Sequence, residues 1–266
     1  FWANPETIPV CHRLRPKSVT KMPATPGMLA AQAVSKATLT VVEAPRPECA
    51  EGGVLLKTNF ASICGSDLHF VYNGLNEKWP MMPGAPGHES TGVIVLSRAN
   101  GFKEGDRVLA APMFWDSACM AEYQAVKGTA IAHLSAAKPE EHQLMAQQLG
   151  TVIYAGKRMP PLFGKTVAVL GQGSAGLFWD FVLKRLGAER VIACDPVAHR
   201  AALGPKFGAD QSLNLKGGEA TKAIMDCTAG QGADVVVEAV GSIPTLTQAF
   251  ELFERDIVNR RFRRDE

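Results

Sequence analysis

The sequence predicts two architectures in series: a small all-β barrel or sandwich, then a doubly wound α/β sheet. Three observations carry this reading. From residue 28 to about 126, short β-rich runs alternate with proline and glycine clusters, which suits a small barrel or sandwich. Over residues 165–195, an apolar run, a glycine-rich turn, a helical stretch and a second strand follow in the order of a parallel β-α-β unit. The 266 residues, 46% apolar, are enough for two ordinary cores.

Residues 1–27 are proline-rich and basic (His12, Arg13, Arg15, Lys17, Lys21) and show neither strand nor helix period. They are expected to be a disordered or non-native extension, with Met28 as an alternative start. A secretory signal would need an apolar core that is missing. Strands are expected at 30–34, 38–43, 54–59, 91–96, 107–110 and 122–126, separated by Pro45, Pro47, Gly52-Gly53, Pro83 to Gly87, Gly101 and Gly105. Residues 62–69 (SICGSDLH) follow a strand and begin a short helix, and residues 86–92 (PGHESTG) lead into another strand. Cys64, His88 and Glu89 supply a thiol, an imidazole and a carboxylate, the donor types zinc takes. Three such ligands with an open position mark a catalytic site. Taken singly, Cys64 also reads as a small buried hydrophobe and His88 as a loop histidine.

In the second half, residues 167–170 (VAVL) are short and β-branched enough for a buried parallel strand. Gly171, Gly173 and Gly176 follow in the spacing G-x-G-x-x-G. The first permits a tight turn, the second admits a pyrophosphate to the backbone, and the third lets helix and strand pack closely. The helix, 175–186, carries Leu177, Phe178, Phe181, Val182 and Leu186 at helical intervals, and Gly187 stops it. Its unpaired N–H groups and positive end would hold the pyrophosphate. A second strand, 190–194, ends on Asp195, 19 residues past Gly176, where a carboxylate would meet the adenosine ribose. That acid favours NAD over NADP, and Arg200 softens the preference.

A helix is expected at 198–207, interrupted at Gly204-Pro205, followed by a strand at 211–215 and a helix at 219–228. Another strand at 234–239 and a helix at 244–253 complete four of the six strands of a sheet ordered 3-2-1-4-5-6. Strands 5 and 6 are not encoded, so residues 235–237 form an exposed apolar edge and poor solubility is expected. From residue 255 the arginine-rich end reads as a basic tail. Net charge is +2 and no apolar run has membrane-spanning length, so neither nucleic acid nor a membrane is an expected partner. The six cysteines, at 11, 49, 64, 119, 194 and 227, form no C-x-x-C pair, which suits a reducing, cytoplasmic setting.

Cys-Gly-Ser-Asp-x-His at 64–69, Gly-His-Glu-x-x-Gly at 87–92, Gly-Asp-Arg-Val at 105–108 and the glycine-rich unit stand in one order. Together they resemble the zinc-dependent medium-chain alcohol and polyol dehydrogenases, over about residues 28–253. The resemblance implies a GroES-like barrel domain (28–145) and an incomplete Rossmann NAD-binding domain (146–254), with the active site in the cleft between them. It makes Cys64 and His88 the first two zinc ligands and Glu89 the neighbouring carboxylate, which in relatives ligates the metal or sits just outside it. Ser66 becomes the hydroxyl that meets the substrate oxygen, His69 the histidine that passes its proton to solvent, and Asp67 the acid that orients His88. Gln147 stands at the third-ligand position, where Cys or Glu is usual, although glutamine occurs there in some sugar dehydrogenases. Its neutral amide is a weaker donor. Thr151 touches the nicotinamide, and the turn residues Gly171, Gln172, Gly173, Ser174, Ala175 and Gly176 cradle the dinucleotide.

Only Cys119 lies between residues 105 and 123, so the four-cysteine lobe of a structural zinc is absent and one zinc is expected. The implied reaction is reversible hydride transfer between an alcohol (a polyol, sugar or secondary alcohol) and NAD. The alternatives are a zinc-free, NADPH-dependent quinone or enoyl reductase of the same fold, and a truncated, inactive fragment that only binds nucleotide. The implied partner is a small-molecule alcohol. Full-length family members form homo-oligomers through a dimer strand that this sequence lacks.

Overall fold

The fold is that of a computed structural model, which describes residues 26–72, 78–113 and 116–262, with side chains to Phe253. Residues 1–25 of the expected extension and 263–266 of the expected tail lie outside the described residues. The chain divides into two units, Phe1–Met145 and Ala146–Glu266.

The first unit holds strands β1 (Gly27–Ser35), β2 (Thr38–Pro45), β3 (Gly53–Ala61), β4 (Ser90–Ser97), β5 (Arg107–Ala110), β6 (Tyr123–Lys127) and β7 (Ile131–His133). Its helices are α1 (Gly65–Val71) and α2 (Glu140–Leu144). β1 and β2 form an antiparallel hairpin, and the others form an antiparallel sheet ordered β6-β3-β4-β5-β7. Alternate residues of four of these strands (Val54, Leu56, Ile94, Val108, Ala110, Val126) build the core on one face. Gly92 is required where β3 and β4 approach, since a Cβ there would stand 2.1 Å from the Lys57 carbonyl oxygen. β7, three residues long, is too short for its alternation to show in the sequence. The buried Glu140 ties α2 to the sheet, accepting from Asn59 at 3.1 Å and pairing with Arg107 at 3.1 Å.

The second unit begins with α3 (Ala146–Gly156) and β8 (Thr166–Leu170), then α4 (Ser174–Arg185), β9 (Arg190–Cys194), α5 (Ala198–Ala201) and α6 (Gly204–Phe207). It ends with β10 (Gln211–Leu213), α7 (Gly217–Cys227), β11 (Val235–Glu238) and α8 (Ile243–Phe262). The four strands are parallel in the order β10-β9-β8-β11, third-second-first-fourth within the unit. Val167, Val169, Val191 and Ala193 point to one core with Leu183, while Ala168, Leu170, Ile192 and Cys194 point to the other with Ile224 and Leu252. Covering on both faces is why these strands read as unbroken apolar runs.

Several boundaries differ from expectation. The break in the 198–207 helix falls at residues 202–203, and Gly204-Pro205 opens α6 instead of interrupting a helix. Proline suits that place because its fixed φ is helical and its missing N–H is unpaired in a first turn anyway. β10 stops at Leu213. α8 runs to Phe262, past the residue where a tail is expected, because no glycine or proline follows Pro244 to end it. Among the described residues no strand pairs with the outer edge of β11. A groove of about 610 Å3 follows that edge, lined by Pro160, Val235, Val236, Leu246, Phe250 and Phe253. No described helix is long and apolar enough to cross a membrane.

Candidate metal and dinucleotide sites

The β3–β4 ladder assembles the first site. Its last pair is Ala61 with Ser90, and one step beyond, the Ser62 N–H donates to the Glu89 carbonyl at 3.0 Å. The two loops are therefore held side by side, one leading to Cys64 and the other carrying His88 and Glu89. Cys64 caps α1 in an extended conformation, and its N–H donates to Oδ2 of Asp67 at 2.9 Å. The other oxygen of Asp67, Oδ1, faces Nδ1 of His88 at 3.2 Å. One buried carboxylate thus fixes a helix start and a histidine together, and leaves Nε2 of His88 as the outward donor.

His88 and Glu89 are 6% and 4% exposed, and Nε2 lies 3.9 Å from Oε1 of Glu89. Ligand atoms of Cys64, His88 and Glu89 all lie within 4.8 Å of one another, the one such cluster among the described residues. Burial pulls the His88 pKa down, but Asp67 and Cys64 outweigh it and push it up to about 9. Asp67 and Cys64 thus favour positive charge at His88, and thiolate, imidazole and carboxylate are the zinc donor set. The residues fit the metal.

Ser66 lies on the first turn of α1, and its Oγ is buried without a hydrogen-bond partner among the described residues. His69 lies further along the same helix, half-buried. Cys119, 1% exposed, donates to the Glu89 carbonyl at 3.6 Å, and burial pushes its thiol up to about 12. It is a packing residue, held protonated.

The second site is the turn from β8 into α4. Gly171 has φ +94°, and Gly173 caps α4 without any side-chain hydrogen bond. A Cβ on Gly173 would meet nothing within 4 Å, whereas one on Gly176 would stand 1.9 Å from the Gly171 carbonyl oxygen. The third glycine lets the helix rest on the turn, and the second leaves open backbone at the helix start. That space and the uncapped helix end fit a pyrophosphate.

Asp195 is 4% exposed, and its oxygens accept from the N–H of Gln172 at 2.7 Å and of Val197 at 2.8 Å. It closes the turn against the loop after β9, and each oxygen keeps a second lone pair for a ligand. Ser174 is exposed on α4, Ala175 half-buried beside it, and Arg200 half-buried on α5. Gln147 and Thr151 are one turn apart on α3, where the Thr151 hydroxyl donates to the Gln147 carbonyl at 3.3 Å. Both belong to the second unit, whereas Cys64, His88 and Glu89 belong to the first.

Two residues at these sites have no role in the sequence reading. Ser62 is revealed only by the strand register. Asp180, fully buried on α4, stands beneath the turn with Oδ1 3.5 Å from Nε2 of Gln172. Its place three residues after Leu177, on the apolar stripe of α4, is the one signal in the sequence.

An antiparallel β unit carrying a Cys-His-Glu set, followed in the chain by a glycine-turn α/β unit, has the make-up of a dehydrogenase fold, with the set as its candidate metal site. Residues 50–152 match the alcohol dehydrogenase GroES-like domain, and residues 176–256 match the zinc-binding dehydrogenase domain. The chain belongs to the zinc-type medium-chain dehydrogenase/reductase family. It is 30% identical over 245 residues to L-threonine 3-dehydrogenase of Pyrococcus horikoshii, covering 81% of this chain and 69% of that one. It is 28% identical over 249 residues to erythritol/L-threitol dehydrogenase of Mycolicibacterium smegmatis, covering 79% and 68%. The solved alcohol dehydrogenase of Thermus sp. ATN1 is similar with TM-score 0.71 at 26% identity, over 85% of this chain and 74% of that one.

Proposed function

We propose that this chain is a zinc- and NAD-dependent dehydrogenase that moves hydride between NAD and an alcohol, either a polyol, a sugar or another secondary alcohol. The observation that carries it is the cluster of Cys64, His88 and Glu89, whose ligand atoms all lie within 4.8 Å of one another. The names of the threonine and erythritol/threitol dehydrogenases support an alcohol substrate.

Cys64 and His88 would hold the metal, with Glu89 as the third donor and the neutral amide of Gln147 as its competitor. Zinc, when bound, supplies Lewis acidity at the substrate oxygen, and NAD supplies the hydride acceptor. Asp67, facing Nδ1 of His88 at 3.2 Å, would hold the ring proton there when a metal takes the place of the proton on Nε2. Ser66, whose hydroxyl is buried and has no hydrogen-bond partner among the described residues, would take the substrate's hydroxyl proton, and His69 would pass it to water. Gly171 to Gly176 and the start of α4 take the pyrophosphate. Asp195 takes the ribose hydroxyls and repels a 2′-phosphate, with Arg200 moderating that repulsion. Thr151 and Ala175 are assigned to the nicotinamide.

The test is zinc per chain by atomic emission on monodisperse protein, with turnover compared on NAD and NADP. About one zinc per chain, lost together with turnover in Cys64→Ser, is the expected result. A cooperatively melting protein without zinc would overturn the metal reading in favour of a metal-free reductase.

A further inference from the structure

Beyond the last β3–β4 pair, Ser62 is bonded to Glu89 twice. Its N–H donates to the Glu89 carbonyl at 3.0 Å, and its hydroxyl donates to Oε2 of the Glu89 carboxylate. No other hydrogen-bond donor to that carboxylate is present among the described residues. Nε2 of His88, at 3.9 Å, is beyond hydrogen-bond reach. A buried carboxylate requires its lone pairs to be met. Because the carboxylate is rigid and planar, fixing Oε2 also fixes the direction of Oε1. Oε1 is left facing His88 inside the Cys64-His88-Glu89 cluster.

We propose that Ser62 is a positioning residue for the metal: its hydroxyl pins Oε2 of Glu89 so that Oε1 is the oxygen offered to an ion on Cys64 and His88. This rests on the zinc reading above. Ser62 does not touch the ion. It acts through Glu89, and its backbone bond to the same residue places the pair by strand register. Partners that orient a ligand from outside typically contribute about 10–100-fold in metal affinity.

The experiment is competition for Zn2+ between a chromophoric chelator and the whole chain, for wild type, Ser62→Ala, Ser62→Thr, Glu89→Gln and the Ser62→Ala/Glu89→Gln double variant. Ser62→Ala is expected to weaken zinc binding about 10–100-fold, and Ser62→Thr, which keeps the hydroxyl, to restore most of it. In the Glu89→Gln background, Ser62→Ala should cost little more, because the carboxylate it serves is gone. Wild-type affinity in Ser62→Ala overturns the proposal. So does a fully additive loss in the double variant, which would make Ser62 a strand fastener only. If zinc depends on Cys64 and His88 but is indifferent to Glu89→Gln, this inference falls while the zinc reading stands. If wild type holds no zinc, or Cys64→Ser retains it, both fall.

Discussion

Asp180→Asn is expected to stabilise the second unit, and to do so more strongly as pH rises. Asp180 has no exposed surface, Oδ2 has no hydrogen-bond partner among the described residues, and Oδ1 has only the distant amide of Gln172 at 3.5 Å. Burial pushes its carboxyl from 3.8 up to about 7, with Gln172 pulling weakly the other way. Below the unfolded value both states hold the proton and the charge costs nothing. Between the two values the unfolded chain releases a proton that the folded one keeps, so native stability falls as pH rises. Above about 7 both states are ionised and the full penalty is present. At roughly 1.4 kcal/mol per factor of ten in proton affinity, that penalty is on the order of 4 kcal/mol. Asparagine carries no charge and keeps an amide oxygen for Gln172. The stability difference between variant and wild type, from urea unfolding, should therefore rise from about 1.5 kcal/mol near pH 5 to about 4 kcal/mol near pH 8. A difference that does not change with pH would refute the reasoning, since it would mean that Asp180 is equally ionised in both states.

Two further perturbations separate shape from binding. Gly176→Ala forces a methyl against the Gly171 carbonyl, where Cβ would lie 1.9 Å away. It should destabilise the second unit by about 1–3 kcal/mol in urea unfolding, and an unchanged midpoint would contradict the packing described. Gly173→Ala meets open space, so it should leave the melting temperature unchanged and still weaken NAD binding in a fluorescence titration. Undiminished binding would remove the pyrophosphate from this turn. Phe250→Lys places a charge on an exposed residue of the groove along β11 and should reduce concentration-dependent association in sedimentation. A wild type that stays monomeric at every concentration would count against an adhesive edge.

Much of the fold is legible in the sequence because its signals are local. The run at 167–170, the glycine spacing at 171, 173 and 176 and the stop at Gly187 are all read within one strand-turn-helix unit. The order of the parallel strands is the one that a doubly wound sheet of the dinucleotide-binding type implies for such a unit. Short or weakly patterned elements are less visible. β7 has three residues, and α3 hides in a stretch whose residues attract notice only as ligand candidates. The break between α5 and α6 is misplaced because proline signals a helix start as readily as a helix end.

At the sites, the sequence by itself determines which chemistry is available: a thiol, an imidazole and a carboxylate in the first unit, and a glycine turn with a distal acid in the second. Tertiary structure alone decides how these groups meet. Cys64 and His88 are far apart in the chain and are brought together by the antiparallel register of β3 and β4, which also sets Ser62 beside Glu89. Asp180 becomes a strained acid only because one face of α4 is packed away from water, while the same residue on the opposite face would be an ordinary surface carboxylate. Residue type is carried by each position alone. Proximity and desolvation depend on which distant strand or helix lies opposite, and that is settled only when the chain has folded.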